Sequence, residues 1–481
     1  MAANDVSQAV SPQAVSQNKN QSVNQLKGPA SEIDLTTIAK YAKHAPRYTS
    51  YPTVLNFVPV NNDILRIANK NTQAKALSIY VHIPFCQTLC YYCGCNKIVT
   101  RHNSKADEYL DYIEKELLSK SHLLAERQAV SLHLGGGSPS FLSEQQQATL
   151  MTMLKKYISF DAQAEIAIEL DPRNVDLPYL KNLRELGYNR LSFGLQDTDY
   201  QVQQTINRVQ STLHIADLVF EARNLGFSSI NLDLIYGLPH QSEDTFRTTI
   251  AATKAMSPDR ISLFSYAHLP ERFAAQRKFG EDILPNAEQK AALYNIAVTE
   301  FKQVGYDMIG LDHFAKKADP LARAKNAGQL HRNFQGYTTK GDTDLVGFGV
   351  SAISTVGNAF AQNPKQLQDY YEQLNNHRPA AAIGLSLSND DLIRRDVISS
   401  LMCNLSLKKD AIEGKYGIAF DDYFAIELDA LRPLQKDGLV LHMNEGIVVP
   451  ESARIFIRVI CATFDAYEDS TKNMTRFSKA I

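Results

Sequence analysis

The chain has 481 residues, 44% of them apolar and 21% charged, with a formal net charge of −2. That length predicts two or three domains around a substantial core, and the near-neutral balance argues against nucleic-acid and membrane partners, which select basic surfaces. No apolar stretch approaches the ~18 residues of a membrane span, and the start lacks the apolar region of a secretory signal, so a cytoplasmic setting with reduced thiols is expected.

Residues 1–34 are rich in Gln, Ser, Asn, Ala and Val without lasting periodicity, which predicts a disordered tail. Residues 35–75 form an N-terminal segment expected to pack on the domain that follows. Its Pro46-Arg-Tyr-Thr-Ser-Tyr-Pro-Thr53 run is aromatic and bounded by prolines. From 76 to 370, strand and helix signals alternate. Strands are expected at 78–83, 130–134, 165–170, 190–196, 229–235 and 260–265. Ser104 with Asp107 resembles a helix-opening capping pair, and Leu110, Ile113 and Leu117 mark the buried face of that helix. Another helix is expected at 145–157. This alternation predicts an α/β fold with a parallel sheet, drawn as a partial (β/α)6 TIM-like barrel. Glu169, Gln196, Asp233 and Tyr266 fall at or near the carboxyl ends of these strands, where barrel active sites sit. Residues 371–481 read as a mainly helical, winged-helix-like domain, with helices at 388–404, 409–416 and 421–436 and a hairpin across 439–450. Its helices are not strongly basic, which favours an accessory or structural role over DNA binding.

The most specific chemistry lies just past the first strand, in His82-Ile-Pro-Phe-Cys-Gln-Thr-Leu-Cys-Tyr-Tyr-Cys-Gly-Cys95. Cys86, Cys90 and Cys93 have the spacing C-x3-C-x2-C. Three thiolates can hold three irons of a 4Fe–4S cubane and leave the fourth iron open to a small molecule. Structural zinc prefers two separated cysteine or histidine pairs, whereas the other cysteines here, Cys403 and Cys461, are isolated. A four-cysteine ferredoxin site with Cys95 as fourth ligand is the remaining alternative. An open iron can chelate S-adenosylmethionine (SAM) through its amino and carboxylate groups. A reduced cluster can then cleave the sulfonium to methionine and a 5′-deoxyadenosyl radical. The Gly135-Gly-Gly137 turn lets backbone approach a ligand closely, and Glu169 suits ribose hydroxyls. His82 and His133 are expected to be packed or hydrogen-bonded and not to be ligands.

These motifs closely resemble the oxygen-independent coproporphyrinogen III oxidases of the radical SAM superfamily. The resemblance rests on Tyr80-Val-His-Ile-Pro-Phe-Cys86 through Lys97, on Pro46-Arg-Tyr-Thr-Ser-Tyr-Pro and Gly135-Gly-Gly-Ser-Pro, and on Leu195-Gln-Asp197 and Ile206-Asn-Arg208. Asn231-Leu-Asp-Leu-Ile-Tyr-Gly-Leu-Pro239 and Gly341-Asp-Thr-Asp-Leu complete it. It runs from about residue 42 to the end. It implies that two propionates of coproporphyrinogen III become vinyls, giving protoporphyrinogen IX in haem biosynthesis, with electrons from a low-potential donor. It further implies that Cys86, Cys90 and Cys93 hold the cluster and that Tyr80, Gly136, Glu169 and Ile353 contact one SAM. Tyr92, Gly137, Ser138, Gln196, Arg208, Asp233 and Ala267 would surround a second SAM. Ser138 and Tyr92 depart from the family's more familiar threonine and phenylalanine but keep the hydroxyl and the ring. Cys95 resembles an extra cysteine close to the cluster but not a ligand. Arg47 is the candidate partner for a substrate carboxylate, and a monomer is the expected state. Two relatives of other function share the same start: haem chaperones, which bind haem without oxidase activity, and haem-degrading methyltransferases. Cys95 and the Pro46–Thr53 segment argue against the chaperone.

Overall fold

The computed structural model describes residues 44–60 and 63–468, with Thr37, Lys40 and Tyr41. The expected disordered tail, 1–34, lies outside the described residues. The chain divides into two compact units, a larger one of Tyr48–Asn404 with Asp465–Glu468, and a smaller one of Leu405–Phe464 with the described residues up to Arg47. Among the described residues no helix is long and apolar enough to cross a membrane.

The larger unit is built from β1 (Ala76–Ile83), α1 (Lys105–Ser119), β2 (Gln128–Gly136), α2 (Glu144–Tyr157), β3 (Phe160–Leu170), α3 (Leu177–Leu186), β4 (Arg190–Gln196), α4 (Thr212–Asn224), β5 (Ser229–Tyr236), α5 (Glu243–Met256), β6 (Arg260–Ser265) and α6 (Ala287–Gln303). The six strands run parallel and pair in chain order. Beyond β6 the sheet continues antiparallel through β8 (His313–Lys316) to β7 (Tyr306–Ile309). On the other side β9 (Thr343–Phe348) joins β1 in parallel. It is followed by antiparallel β10 (Ile353–Val356), β11 (Ala359–Gln362), β12 (Ile383–Ser386) and the short strand Val58–Pro59. The thirteen-stranded sheet therefore stays open, with Val58–Pro59 and β7 at its two edges. The barrel is partial, as expected.

A strict alternation along the strands makes the two faces different. Leu77, Ile79, Val81, Leu132, Leu134, Ile168, Phe193, Leu195, Ile230, Leu232, Leu234, Ile261 and Leu263 are buried in one core with α1 residues Tyr109, Leu110, Ile113 and Leu117. The intervening positions carry Ser78, Tyr80, His82, Ser131, His133, Glu165, Glu169, Arg190, Ser192, Gln196, Asn231, Asp233, Arg260 and Ser262. A parallel sheet covered on both faces would be apolar on both; this one carries polar side chains along one face.

Local signals explain most helix starts. Ser143 and Gln146 form a reciprocal capping box at α2. At α1 the expected cap is absent: Ser104 is already helical (φ −58°, ψ −19°) and its side chain caps nothing. The coil starts earlier, with the Lys105 and Ala106 amides donating to His102 and Asn103, and Asp107 instead accepts from Gln146 at 2.7 Å, tying α1 to α2. In the smaller unit, helix Lys409–Tyr416 forms as read. The expected 421–436 helix breaks at Phe424 into Phe420–Tyr423 and Ala425–Lys436. Phe424 is turned inward there, its ring 4.8 Å from that of Phe420 and 5.5 Å from that of Phe464. The expected hairpin forms as Leu441–Met443 with Gly446–Val448, and Ser406–Lys408 adds a third strand. The helix Asn389–Asn404, opened by a Ser388–Asp391 pair, groups with the larger unit, so the contacts divide at Asn404/Leu405 where the sequence reading drew its limit at 370/371.

One buried carboxyl gives this unit a pH signature. Asp197, fully buried after β4, accepts from Gln241 at 2.6 Å and from the Asp199 amide at 2.7 Å. Burial raises its pKa to about 6. An unfolded aspartate titrates near ~3.9, so the folded state binds the proton more tightly. The stability this contributes is present below the unfolded value and is lost as pH rises through about 6. Wild type should therefore lose melting temperature relative to Asp197→Asn between about pH 4 and about pH 7. A difference constant across that range would contradict the assignment.

Candidate functional site

β1 ends at Ile83-Pro84, and the cysteine loop leaves from the carboxyl end of the sheet. Phe85–Cys86 pairs in parallel with Ile98–Val99, and the Thr100 amide donates to the Cys86 carbonyl at 2.9 Å. This clasp, which contains Cys86, closes the eleven-residue loop 87–97 that carries Cys90, Cys93 and Cys95. The glycine turn after β2 lies against its base: the Gly137 and Ser138 amides donate to the Ile83 and Phe85 carbonyls at 2.8 and 2.9 Å. A Cβ on Gly137 would stand 2.5 Å from the Pro84 carbonyl oxygen, and one on Gly136, at φ +121°, would stand 2.7 Å from the His82 ring. Only glycine fits either position.

Around the sulfurs the electrostatics are positive. Arg208 and Arg173 point guanidinium nitrogens at Cys90 Sγ from 3.6 and 3.7 Å. Both are held by Asp171, at 2.8 and 2.7 Å. Burial opposes ionisation of Asp171, but Arg208 and then Arg173 outweigh it and keep the carboxyl below its usual range. Burial pushes the Cys86 thiol up to about 12, whereas the hydrogen bond with Cys95 is the main cause pulling Cys93 down to about 6. The Lys97 ammonium also donates to the Cys93 carbonyl at 2.9 Å. Cys95 is exposed, its amide 3.4 Å from Cys93 Sγ. Among the described residues no three His, Cys, Asp or Glu side chains converge as a single metal ion requires. A cubane takes one thiolate per iron and asks for no such convergence. Three loop thiols that feel one another's charge, with two guanidinium groups at one sulfur, suit such a cluster.

Two groups of the expected residues come together on the polar face. In the first, Tyr80 Oη stands 3.0 Å from His82 Nδ1, and His82 Nε2 stands 3.0 Å from the Asn96 carbonyl. A carbonyl only accepts, so Nε2 carries the proton and Nδ1 accepts from Tyr80. Desolvation lowers the His82 pKa and keeps the ring neutral. The Tyr80 ring stacks on His133 (6.0 Å, 20°), and His133 Nε2 meets Glu169 Oε1 at 2.9 Å. Desolvation opposes ionisation of Glu169, but the hydrogen bond to His133 leads the effects that hold its carboxyl low. Gly136 abuts His82. Both histidines are thus hydrogen-bonded, as expected.

In the second group, Arg208 lies close enough to Tyr92 and Asp171 for each to raise its pKa against burial. The Arg208 side chain also donates to the Gly194 carbonyl at 3.1 Å. Gln196, at φ +62°, folds back over Gly194, and its Oε1 is buried without a hydrogen-bond partner. Ser138 joins through Ser140, 2.9 Å away, which accepts from the Asp171 amide at 3.0 Å. Asp233 accepts from Asn231 at 2.8 Å and Ser192 at 3.1 Å, while burial and then the Glu169 charge raise its pKa. Ala267 follows β6, its carbonyl held by Gln276 at 3.2 Å. Ile353 sits on β10 opposite Gln362, packed with the Phe57–Phe360–Leu387 cluster. Arg47 is exposed and belongs to the smaller unit. Sequence reasoning missed Arg173, Asp171 as their shared anchor, and Gln276. Asp171-Pro-Arg173, directly after a strand end, was the available signal for the first two.

Comparison with known proteins places the chain in a family. Residues 80–252 match the Radical SAM superfamily and residues 387–456 the HemN C-terminal domain. The chain is 48% identical over 449 residues to the oxygen-independent coproporphyrinogen III oxidase of Salmonella typhimurium, covering 93% of this chain and 98% of that one. It is 42% identical over 461 residues to the Synechocystis enzyme of the same name, covering 94% and 99%. Its fold matches the solved coproporphyrinogen III oxidase of Escherichia coli, described as a radical SAM enzyme, with a TM-score of 0.88 at 48% identity over 91% of this chain and all of that one. The chain belongs to the oxygen-independent coproporphyrinogen III oxidase family of the radical SAM superfamily.

Proposed function

We propose that this protein converts two propionates of coproporphyrinogen III to vinyls without oxygen, giving protoporphyrinogen IX in haem biosynthesis. The observation that carries the reading is the loop of three thiols at the carboxyl end of β1, backed by two arginines and facing a polar barrel wall, in a chain whose full-length relatives bear that name. Membership of the family implies a 4Fe–4S cluster and SAM. When bound, these supply a 5′-deoxyadenosyl radical able to take hydrogen from a propionate β-carbon, after which carbon dioxide and one electron leave.

Cys86, Cys90 and Cys93 would hold the cluster, with Cys95 beside it but not a ligand. Arg208 and Arg173 place positive charge at the Cys90 sulfur and so favour the more negative, reduced state. Neutral His82 fixes the Tyr80 hydroxyl, and ionised Glu169 offers acceptors to ribose hydroxyls or an ammonium. Tyr80, Gly136, Glu169 and Ile353 would contact one SAM. A second SAM would lie among Tyr92, Gly137, Ser138, Gln196, Arg208, Asp233 and Ala267. The unpartnered Oε1 of Gln196 supports this, because a buried acceptor without a donor costs free energy until a ligand satisfies it. Arg47 remains the proposed carboxylate partner, a low-potential protein the proposed donor, and a cytoplasmic monomer the proposed state.

Anaerobic incubation of the reconstituted protein with SAM, a reductant and coproporphyrinogen III should yield protoporphyrinogen IX. Stoichiometric haem binding with no protoporphyrinogen would overturn the reading in favour of a chaperone.

A further inference from the structure

Gln276 sits on a short 3-10 turn (Ala274–Lys278) in the segment after β6 and is 1% exposed. Its amide is fully used. Oε1 accepts from the Leu269 amide at 2.5 Å, and Nε2 donates to the carbonyls of Tyr92 and Ala267, each at 3.2 Å. One side chain thus ties the cysteine loop, one residue before Cys93, to the loop that follows the last barrel strand. A second contact supports the same junction. A Cβ on Gly94 would stand 3.0 Å from the Phe273 ring, so Phe273 lies directly on the cysteine loop. Tyr91 and Tyr92 pack with Tyr266 and Phe279 in the same apolar cluster. The two loops are 184 residues apart in sequence, and this amide bridges them by hydrogen bonds to both backbones.

We infer that Gln276 is a positioning residue that sets the separation of Tyr92 and Ala267, and through it the capacity of the pocket they wall to take a nucleoside-bearing ligand. The inference rests on the proposed second SAM site, which those two residues border. Gln276 acts through backbone carbonyls and not by touching the ligand, so its loss opens the pocket without removing any ligand contact.

The test is equilibrium dialysis of cluster-reconstituted protein against radiolabelled SAM, with iron content measured on the same samples. Gln276→Glu keeps side-chain volume and the acceptor for Leu269, but its second oxygen faces the Tyr92 and Ala267 carbonyls with no donor when ionised and with one at most when protonated. Gln276→Met removes all three bonds at similar volume. Wild type is expected to bind two equivalents. Both variants should keep full iron and the first equivalent, with affinity for the second falling roughly tenfold. Two equivalents at unchanged affinity in Gln276→Glu would overturn the inference and leave the second-site reading standing. Equal weakening of both equivalents would mark Gln276 as merely structural and also overturn it. A single equivalent in wild type would defeat the second-site reading and the inference with it.

Discussion

Replacing Cys90 with serine is expected to abolish iron incorporation and turnover together, whereas Cys95→Ser keeps about four irons per chain. Cys90 is the buried thiol of the loop and the one that both Arg173 and Arg208 address. A serine hydroxyl there is a poor iron ligand and leaves two guanidinium groups aimed at a neutral oxygen. Cys86→Ser and Cys93→Ser should behave in the same way, because three ligands leave no spare. Cys95 is exposed and meets the loop through Cys93, so its removal alters the neighbourhood of a ligand without removing one. Iron analysis and the visible absorption of the reconstituted variants separate the two outcomes. A Cys95→Ser protein unable to hold iron would make Cys95 the fourth ligand and close the open iron site.

Glu116→Ala is expected to cause the largest loss of stability among single changes away from the cysteine loop. Glu116 is fully buried on α1. Its Oε1 meets Lys120 Nζ at 2.6 Å and accepts from Asn363 at 2.7 Å. Its Oε2 accepts from the Gly349 amide and the Tyr370 hydroxyl, both at 2.7 Å. Lys120 in turn donates to the Gly347 carbonyl at 2.7 Å. Truncating the carboxylate strands a buried ammonium and three donors at once, a loss of about 3–5 kcal/mol for breaking such a pair. Urea unfolding followed by circular dichroism measures it. The same change at Glu114, whose partner Lys156 is largely exposed, should leave stability nearly unaltered, because surface pairs contribute little. Since Glu116 holds Gly349 just past the end of β9, and its partner Lys120 holds Gly347 within β9, its loss should also loosen the approach to Ile353.

The sequence was most informative where a rule is local. Alternating apolar residues located the six parallel strands, two of them with the observed limits, Arg190–Gln196 and Arg260–Ser265. The same alternation held the polar barrel face in plain view at Ser78, Tyr80 and His82 or Asn231 and Asp233, although the expectation took only the strand ends. The cysteine spacing and glycine turn located the cluster loop, because close backbone approach and thiolate ligation leave short, specific patterns. Pairings over long sequence separations were not legible. Arg208 with Cys90, Gln276 with Tyr92 and Glu116 with Asn363 join segments more than a hundred residues apart, and no spacing rule reaches that far. The Ser104 cap failed for a related reason: the helix began on the preceding turn, and Asp107 was recruited by Gln146 of the next helix. Phe424 broke a helix that propensity alone would continue, because burying its ring outweighs one more helical turn.

The central claim is that this site directs a radical at the propionate β-carbons of coproporphyrinogen III. Its most direct test uses substrate deuterated at those carbons, incubated anaerobically with the reconstituted protein, SAM and a reductant. Mass spectrometry should find deuterium in 5′-deoxyadenosine, formed alongside protoporphyrinogen IX. Unlabelled 5′-deoxyadenosine beside unchanged substrate, or a methylated linear tetrapyrrole in place of protoporphyrinogen, would contradict it.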